Sequence, residues 1–248
     1  MPPFKDLKEL LEIPRIYQEE SWHSPQGRLL REVVFGVNDG VVTTLGFLFG
    51  MAGAFPEHRM IVISCLAEIF AGAFSMFFGG YLSTKSQQEF FEHEIAREKR
   101  DIEEIPAKER EEIRRIYHAK GFQDPKELDL VVQRITEDKR IWLKCMMEEE
   151  LGLIIESMDS PWKVGAVIGF SFLFGGFIPL VPFAFLAEST FALKASLVFT
   201  GAALFFLGSI KTVITRRPWF KSGLEVFSIG ALTAGLGYLI GLFLRRFA

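Results

Sequence analysis

Five apolar stretches, each near the roughly 20 residues a helix needs to cross a bilayer's hydrocarbon core, constrain this 248-residue chain more than any other feature. Residues 33–55 contain one charge, Asp39, and residues 60–82 contain one, Glu68. Residues 164–187 and 226–244 contain none, and residues 190–210 hold only Lys194, near their start. In lipid the backbone must satisfy its own hydrogen bonds, which leaves the helix as the form for spans of this length. The expected fold is an all-α membrane protein with five transmembrane helices.

Charge divides the chain further. Twenty of its thirty-one acidic residues fall in the segment 83–160, against fourteen Lys and Arg, which leaves that segment at −6 and the remainder at +3. The expected organisation is a cytosolic N-terminal segment (1–32), spans one and two (33–82), a cytosolic acidic helical domain (83–160) and spans three to five (161–248). Orientation follows from basic residues, which gather on the cytosolic side of spans. Lys211, Arg216, Arg217 and Lys221 lie between spans four and five, and Arg28 and Arg31 precede span one, whereas the turn between spans one and two has only His58 and Arg59. Arg245 and Arg246 then fall outside, a local dissent from the rule. The first thirty residues mix charges and prolines without the apolar core of a signal peptide. Leu7, Leu10, Leu11, Ile13 and Ile16 fit a short amphipathic surface helix as well as simple docking. Cys65 and Cys145 supply neither a disulfide framework nor a CxxC metal signature, and no part of the pattern calls for nucleic acid.

The acidic segment reads as helical throughout. Residues 85–104 lack Pro and Gly and extend span two as one helix; Pro106 starts a second helix, where proline is tolerated; Gly121 ends it. Asp124-Pro125 opens a third, expected to run to Arg140, and residues 141–155 lead toward span three. Residues three or four apart share a helical face. Glu94, Glu98 and Asp101 therefore line one face, Glu109 and Glu112 another, and Met146, Met147 and Glu150 a third. Like charges at such spacing repel unless a cation sits between them. Carboxylate oxygen with thioether sulfur argues against magnesium or calcium and toward ferrous iron (Fe2+) or its neighbours. A solvated acidic hairpin laced with ion pairs explains the same spacing, with Arg97, Lys99, Arg100, Arg110 and Arg114 as counter-ions and the methionines as core filler.

Inside the membrane, a charged residue is costly and points to function. Asp39 has Thr43 one turn further along its face, a second oxygen ligand, and Glu68 has Met76 two turns on. Those eight residues rotate by about 80° and rise about 12 Å, which makes successive ligands on one twisting path. Span three carries Gly175-Gly176 followed by Pro179 and Pro182, a sequence suited to close packing or to lining a cavity. Five spans with two isolated acids make a thin wall for a hydrated path, and a homodimer doubles the ligands at a shared axis.

Taken together, Asn38-Asp39-Gly40, Ser75-Met76-Phe77-Phe78-Gly79-Gly80-Tyr81-Leu82-Ser83, Cys145-Met146-Met147-Glu148-Glu149-Glu150 and Gly176-Phe177-Ile178-Pro179-Leu180-Val181-Pro182-Phe183 resemble the vacuolar iron transporter family, from about Arg31 to the end. The resemblance implies a homodimer in the lipid bilayer that exports Fe2+ or Mn2+ from the cytosol in exchange for protons, with no enzymatic activity and no prosthetic group. It implies a cell membrane in a prokaryote and a vacuolar-type membrane in a eukaryote. By motif position it assigns Asp39, Glu68 and Met76 to the transport path, beside Thr43. It assigns Glu98, Asp101, Glu109, Glu112, Met146, Met147 and Glu150 to metal binding. Asp101 stands where a glutamate is usual, and Val41-Val42-Thr43-Thr44 replaces a plant-type proline-phenylalanine pair, departures that leave Fe2+, Mn2+, Zn2+, Co2+ and Ni2+ all open. Two other classes compete with transport: a membrane-anchored metal sensor, and a di-iron oxidase. The oxidase needs Glu-x-x-His on paired helices, and neither histidine of the acidic segment, His93 or His118, has a glutamate at that spacing.

Overall fold

A computed structural model describes residues 26–153, 159–210, 212 and 218–247. The suggested amphipathic N-terminal helix, and Lys211, Arg216 and Arg217 of the basic loop, lie outside the described residues. The described residues form eight helices and no strand: α1 (Gln26–Ala54), α2 (His58–Glu104), α3 (Pro106–Ala119), α4 (Pro125–Thr136), α5 (Lys139–Glu149), α6 (Pro161–Phe185), α7 (Ser189–Ile210) and α8 (Trp219–Leu244). Five of them, α1, α2, α6, α7 and α8, are long and apolar enough to cross a membrane, one for each stretch expected from the sequence. The chain is an all-α membrane protein.

Contacts divide it into two compact units that share α2. The larger comprises residues 26–82 and the described residues from 161 onward. Here α1 runs against α6, α7 and α8, and its buried Val41, Leu45 and Leu48 meet Ile61, Cys65 and Ile69 of α2, Leu180 of α6 and Leu204 of α7. In lipid, apolar side chains gain little from one another, so close backbone approach must supply the association. A Cβ on Gly40 of α1 would run into the Phe172 carbonyl of α6, and one on Gly237 of α8 into the Gly46 carbonyl of α1. Helix α6 continues through Pro179 and Pro182, and Ser196 of α7 donates its hydroxyl to the Pro179 carbonyl at 2.6 Å.

The smaller unit comprises the C-terminal part of α2 from Ser83, with α3, α4 and α5. Its core joins Ile95 and Ile102 of α2, Ile113 of α3, Leu128 and Val132 of α4, and Trp142, Leu143, Met146 and Met147 of α5. One residue, Ile105, separates α2 from α3, and Pro106 opens α3 as expected. Gly121 then turns the chain at φ +107, a value that favours glycine. The third helix is shorter than its sequence suggested. It stops at Thr136 rather than reaching Arg140, because the Asp138 side chain accepts the Arg140 N–H at 2.8 Å and starts a new helix at Lys139.

Candidate metal centre

Two of the three acids at the centre of the smaller unit occupy positions where an apolar residue belongs. On α2, Glu98 lies between Ile95 and Ile102, at the three- and four-residue spacing of one buried stripe. On α3, Glu109 precedes Ile113 by four and is buried with it. The third, Glu150, follows Met146 by four at the end of α5. The single-residue link at Ile105 sets the last turns of α2 beside the first turn of α3. Gly152, at φ +63, helps to stop α5, with Leu151 and Leu153 donating back to the Met146 and Met147 carbonyls at 3.3 and 2.9 Å. That stop leaves Glu150 at the helix C-terminus, where the macrodipole favours a cation.

The result is a set of three carboxylates, Glu98, Glu109 and Glu150, each with an oxygen within 4.8 Å of the others. Glu98 is 3% exposed and Glu109 2%, while Glu150 faces solvent. Buried carboxylates are normally paired with a cation. Three of the neighbouring basic residues are engaged with other acids: Arg97 with Glu94 at 3.0 Å, Lys108 with Glu112 at 3.4 Å, and Arg114 with Asp129 at 2.5 Å. Arg110 lies over the Trp142 ring, 5.5 Å from its centre. The Glu98 and Glu109 carboxyls lie within hydrogen-bonding reach of each other, yet Glu98 Oε1 is buried with no hydrogen-bond partner.

The electrostatic consequence is plain. Burial, the hydrogen bond to Glu109, and the charges of Glu109, Glu150 and Asp101 push the Glu98 carboxyl up to about 8. Glu109 is raised by burial and then by Glu112 and Asp101, partly offset by the Glu98 hydrogen bond and Lys108. Glu150 is raised by burial, Glu112 and Glu109, with Arg97 and Lys108 opposing. A proton relieves the repulsion within this group, and a divalent cation relieves it further. The unpartnered Glu98 oxygen gives such a cation a ligand that need not be detached from anything else.

The other expected metal-binding residues fall around this trio. Met146 and Met147 are fully buried in the unit's core, within one turn of Glu150. Asp101 and Glu112 are half-buried and act on the trio through their charges, with Glu112 held by Lys108. Glu94, on the same stretch of α2, is taken by Arg97. Lys108 is a functional candidate that the reading of the sequence passed over, although Lys108 and Glu112 have the spacing of a helical ion pair.

In the membrane unit, Asp39 and Met76 are half-buried, and Thr43, exposed on α1, hydrogen-bonds to Asp39 one turn before it. Glu68 is near enough to Asp39 to feel its charge. Its carboxylate also accepts a hydrogen bond from a residue the sequence did not single out, Thr44, at 2.9 Å.

Comparison with known proteins follows the same line. The model of the VIT family matches residues 30–242. Vacuolar iron transporter 1 of Oryza sativa subsp. japonica is 33% identical over 216 residues, covering 87% of this chain and 85% of that protein. Vacuolar iron transporter 1 of Arabidopsis thaliana is 31% identical over 218 residues, 88% and 87% of the two chains. The vacuolar iron transporter of Plasmodium berghei (strain Anka) is 30% identical over 252 aligned positions, 97% and 92% of the two.

Proposed function

We propose, since the chain belongs to the VIT family, that it carries iron from the cytosol across a membrane, as Fe2+ and in exchange for protons. Its relatives are named as transporters, so the reading is one of vectorial movement and not of turnover. The observation that carries the binding half is the carboxylate trio with its unpartnered Glu98 oxygen. Glu98, Glu109 and Glu150 supply oxygen ligands, Asp101 and Glu112 add negative field, and Met146 and Met147 offer the soft sulfur that favours Fe2+ over magnesium or calcium. Mn2+, Zn2+, Co2+ and Ni2+ are the competing ions for such a set.

The residues 83–160 then gather the metal on the cytosolic side, and Asp39, Thr43, Glu68 and Met76 pass it through the spans. Asp39 or Glu68 takes up the returning proton. Two copies of the chain, paired as a homodimer, double the Asp39 and Met76 ligands and give the ion a path with protein on both sides.

Reconstitution of the full chain in proteoliposomes with an internal pH dye tests this. Fe2+ applied to the cytosolic face should enter with opposing proton flow, and a competition series with Mn2+, Zn2+, Co2+ and Ni2+ should rank the ions. Metal binding without flux would replace transport by a sensor role.

A further inference from the structure

Thr44 is wholly buried, and its hydroxyl reaches across from α1 to α2, where it donates to Glu68 Oε2 at 2.9 Å. A threonine within a helix commonly bonds back to the carbonyl one turn earlier, as Thr233 does to Ile229 at 2.9 Å. Thr44 gives its proton to another helix instead.

Three helices close around this contact. A Cβ on Gly176 of α6 would stand 3.0 Å from the Thr44 hydroxyl and 3.0 Å from Ile69 of α2, so the glycine leaves the room the hydroxyl occupies. On the other side, a Cβ on Gly72 of α2 would lie 3.5 Å from Glu68 Oε1 and 2.5 Å from the Phe172 ring. One oxygen of Glu68 is therefore held by Thr44, and the other lies beside the bare backbone of Gly72. The neighbouring Thr43 serves Asp39 in the same way within α1. Two adjacent hydroxyls thus support Asp39 and Glu68.

We propose that Thr44 is the positioning residue for Glu68, fixing the carboxylate in the orientation in which it meets the transported cation. The inference rests on the transport reading of Glu68 given above. In an apolar interior a flexible glutamate without this donor samples several rotamers, and only some present an oxygen to the ion. Glycine at 176 leaves the Thr44 hydroxyl the room that the held orientation needs.

The test is Fe2+ uptake by the full chain in proteoliposomes, comparing the wild type with Thr44→Val, Thr44→Ser, Glu68→Gln and the Thr44→Val/Glu68→Gln pair. Thr44→Val should raise the KM for Fe2+ on the order of tenfold, the scale of a lost hydrogen bond to a charged group. Its maximal rate should change by less than about twofold, whereas a merely structural defect lowers the amount of working protein and leaves KM alone. Thr44→Ser, which keeps the hydroxyl, should restore the wild-type KM, and the double variant should match Glu68→Gln alone. Where valine is not accommodated beside Gly176, Thr44→Ala gives the same comparison. Wild-type KM in Thr44→Val or Thr44→Ala, or additive effects in the double variant, overturns the positioning role while transport stands. Unaltered uptake by Glu68→Gln also overturns it. Absence of uptake by the wild type itself removes the transport reading and the inference with it.

Discussion

In the acidic unit three carboxylates meet one another within 4.8 Å, whereas in the membrane unit Asp39 and Glu68 each meet a threonine hydroxyl. The two arrangements treat negative charge in opposite ways. The trio concentrates acids whose repulsion the fold relieves only in part, with a proton on Glu98 and the nearby Lys108; on the proposed reading, a divalent cation relieves the rest and is held there. Each intramembrane acid is instead supported singly by a neutral donor, which satisfies the carboxylate without supplying a counter-charge. On the proposed path a cation would gain one charged ligand per helix, enough to enter and weak enough to leave. On this contrast, binding and passage are separable properties of two regions, and variants should affect one without the other.

The largest separation is expected from Asp39→Ala. It removes an acid of the proposed path and none of the trio, so metal-dependent flux should fall by at least about a hundredfold, the scale of losing a charged ligand. Metal binding by the detergent-purified full chain, followed by calorimetry, should stay at the wild-type level. Retained flux removes Asp39 from the path, and lost binding joins the two regions that the comparison keeps apart.

Glu109→Gln acts from the other side. Without one carboxylate, affinity should drop about tenfold to a hundredfold, and flux at saturating metal should persist. The apo protein should also unfold at the same or a higher temperature, because a like charge has left a buried cluster. Residues kept for binding at the cost of stability behave this way. A purely structural Glu109 would show the reverse, a lower unfolding temperature with unchanged affinity.

These acids also mark how far the sequence was legible. The five spans could be read directly, because about 20 mostly apolar residues in a row with at most one charge admit few other folds, and Pro106 and Gly121 punctuated the insert where they stand. The trio was legible in principle. Glu98 interrupts the Ile95–Ile102 stripe and Glu109 shares a face with Ile113, so apolar periodicity singles out these two over Asp101 and Glu112. Reading carboxylate spacing alone gave all four equal standing. The end of α4 was missed because a cap at Asp138 competes with helix continuation over a few residues. Thr44 had no such signal: its partner is 24 residues away on another helix, and only packing of α1 against α2 reveals it.

Acidity should sharpen the contrast by an intermediate amount. Glu98 ordinarily titrates at 4.5 and is pushed up to about 8 in the fold, so between those values the folded apo chain holds a proton that the unfolded chain has lost. The contribution of this group to stability is therefore present below about 4.5, declines as pH rises toward 8 and is flat beyond it. Metal must displace the same proton, so affinity should climb by up to about tenfold per pH unit until pH 8 and then level. Calorimetric titrations at pH 6, 7, 8 and 9 check the slope, and Glu98→Gln should flatten it. A slope unchanged in that variant assigns the proton to another group.

The smallest expected effect comes from Lys108. Its ammonium pairs with Glu112 at 3.4 Å and also acts on Glu109 and Glu150, so it is a tethered cation already standing in the field that should attract the metal. Its side chain is exposed and salt screens its charge, which limits what it can do to a small factor. Lys108→Gln frees Glu112 and deepens the negative potential, and metal affinity should rise about twofold to threefold at low ionic strength. The gain should fade as salt approaches 1 M, where the screening length is about 3 Å. Flux at saturating metal should not change, because Lys108 belongs to the acidic unit and the acids of the proposed path to the membrane unit. An affinity that falls instead would mean that Lys108 holds Glu112 in the geometry the metal needs, making the lysine an organiser of the site and not a competitor for it.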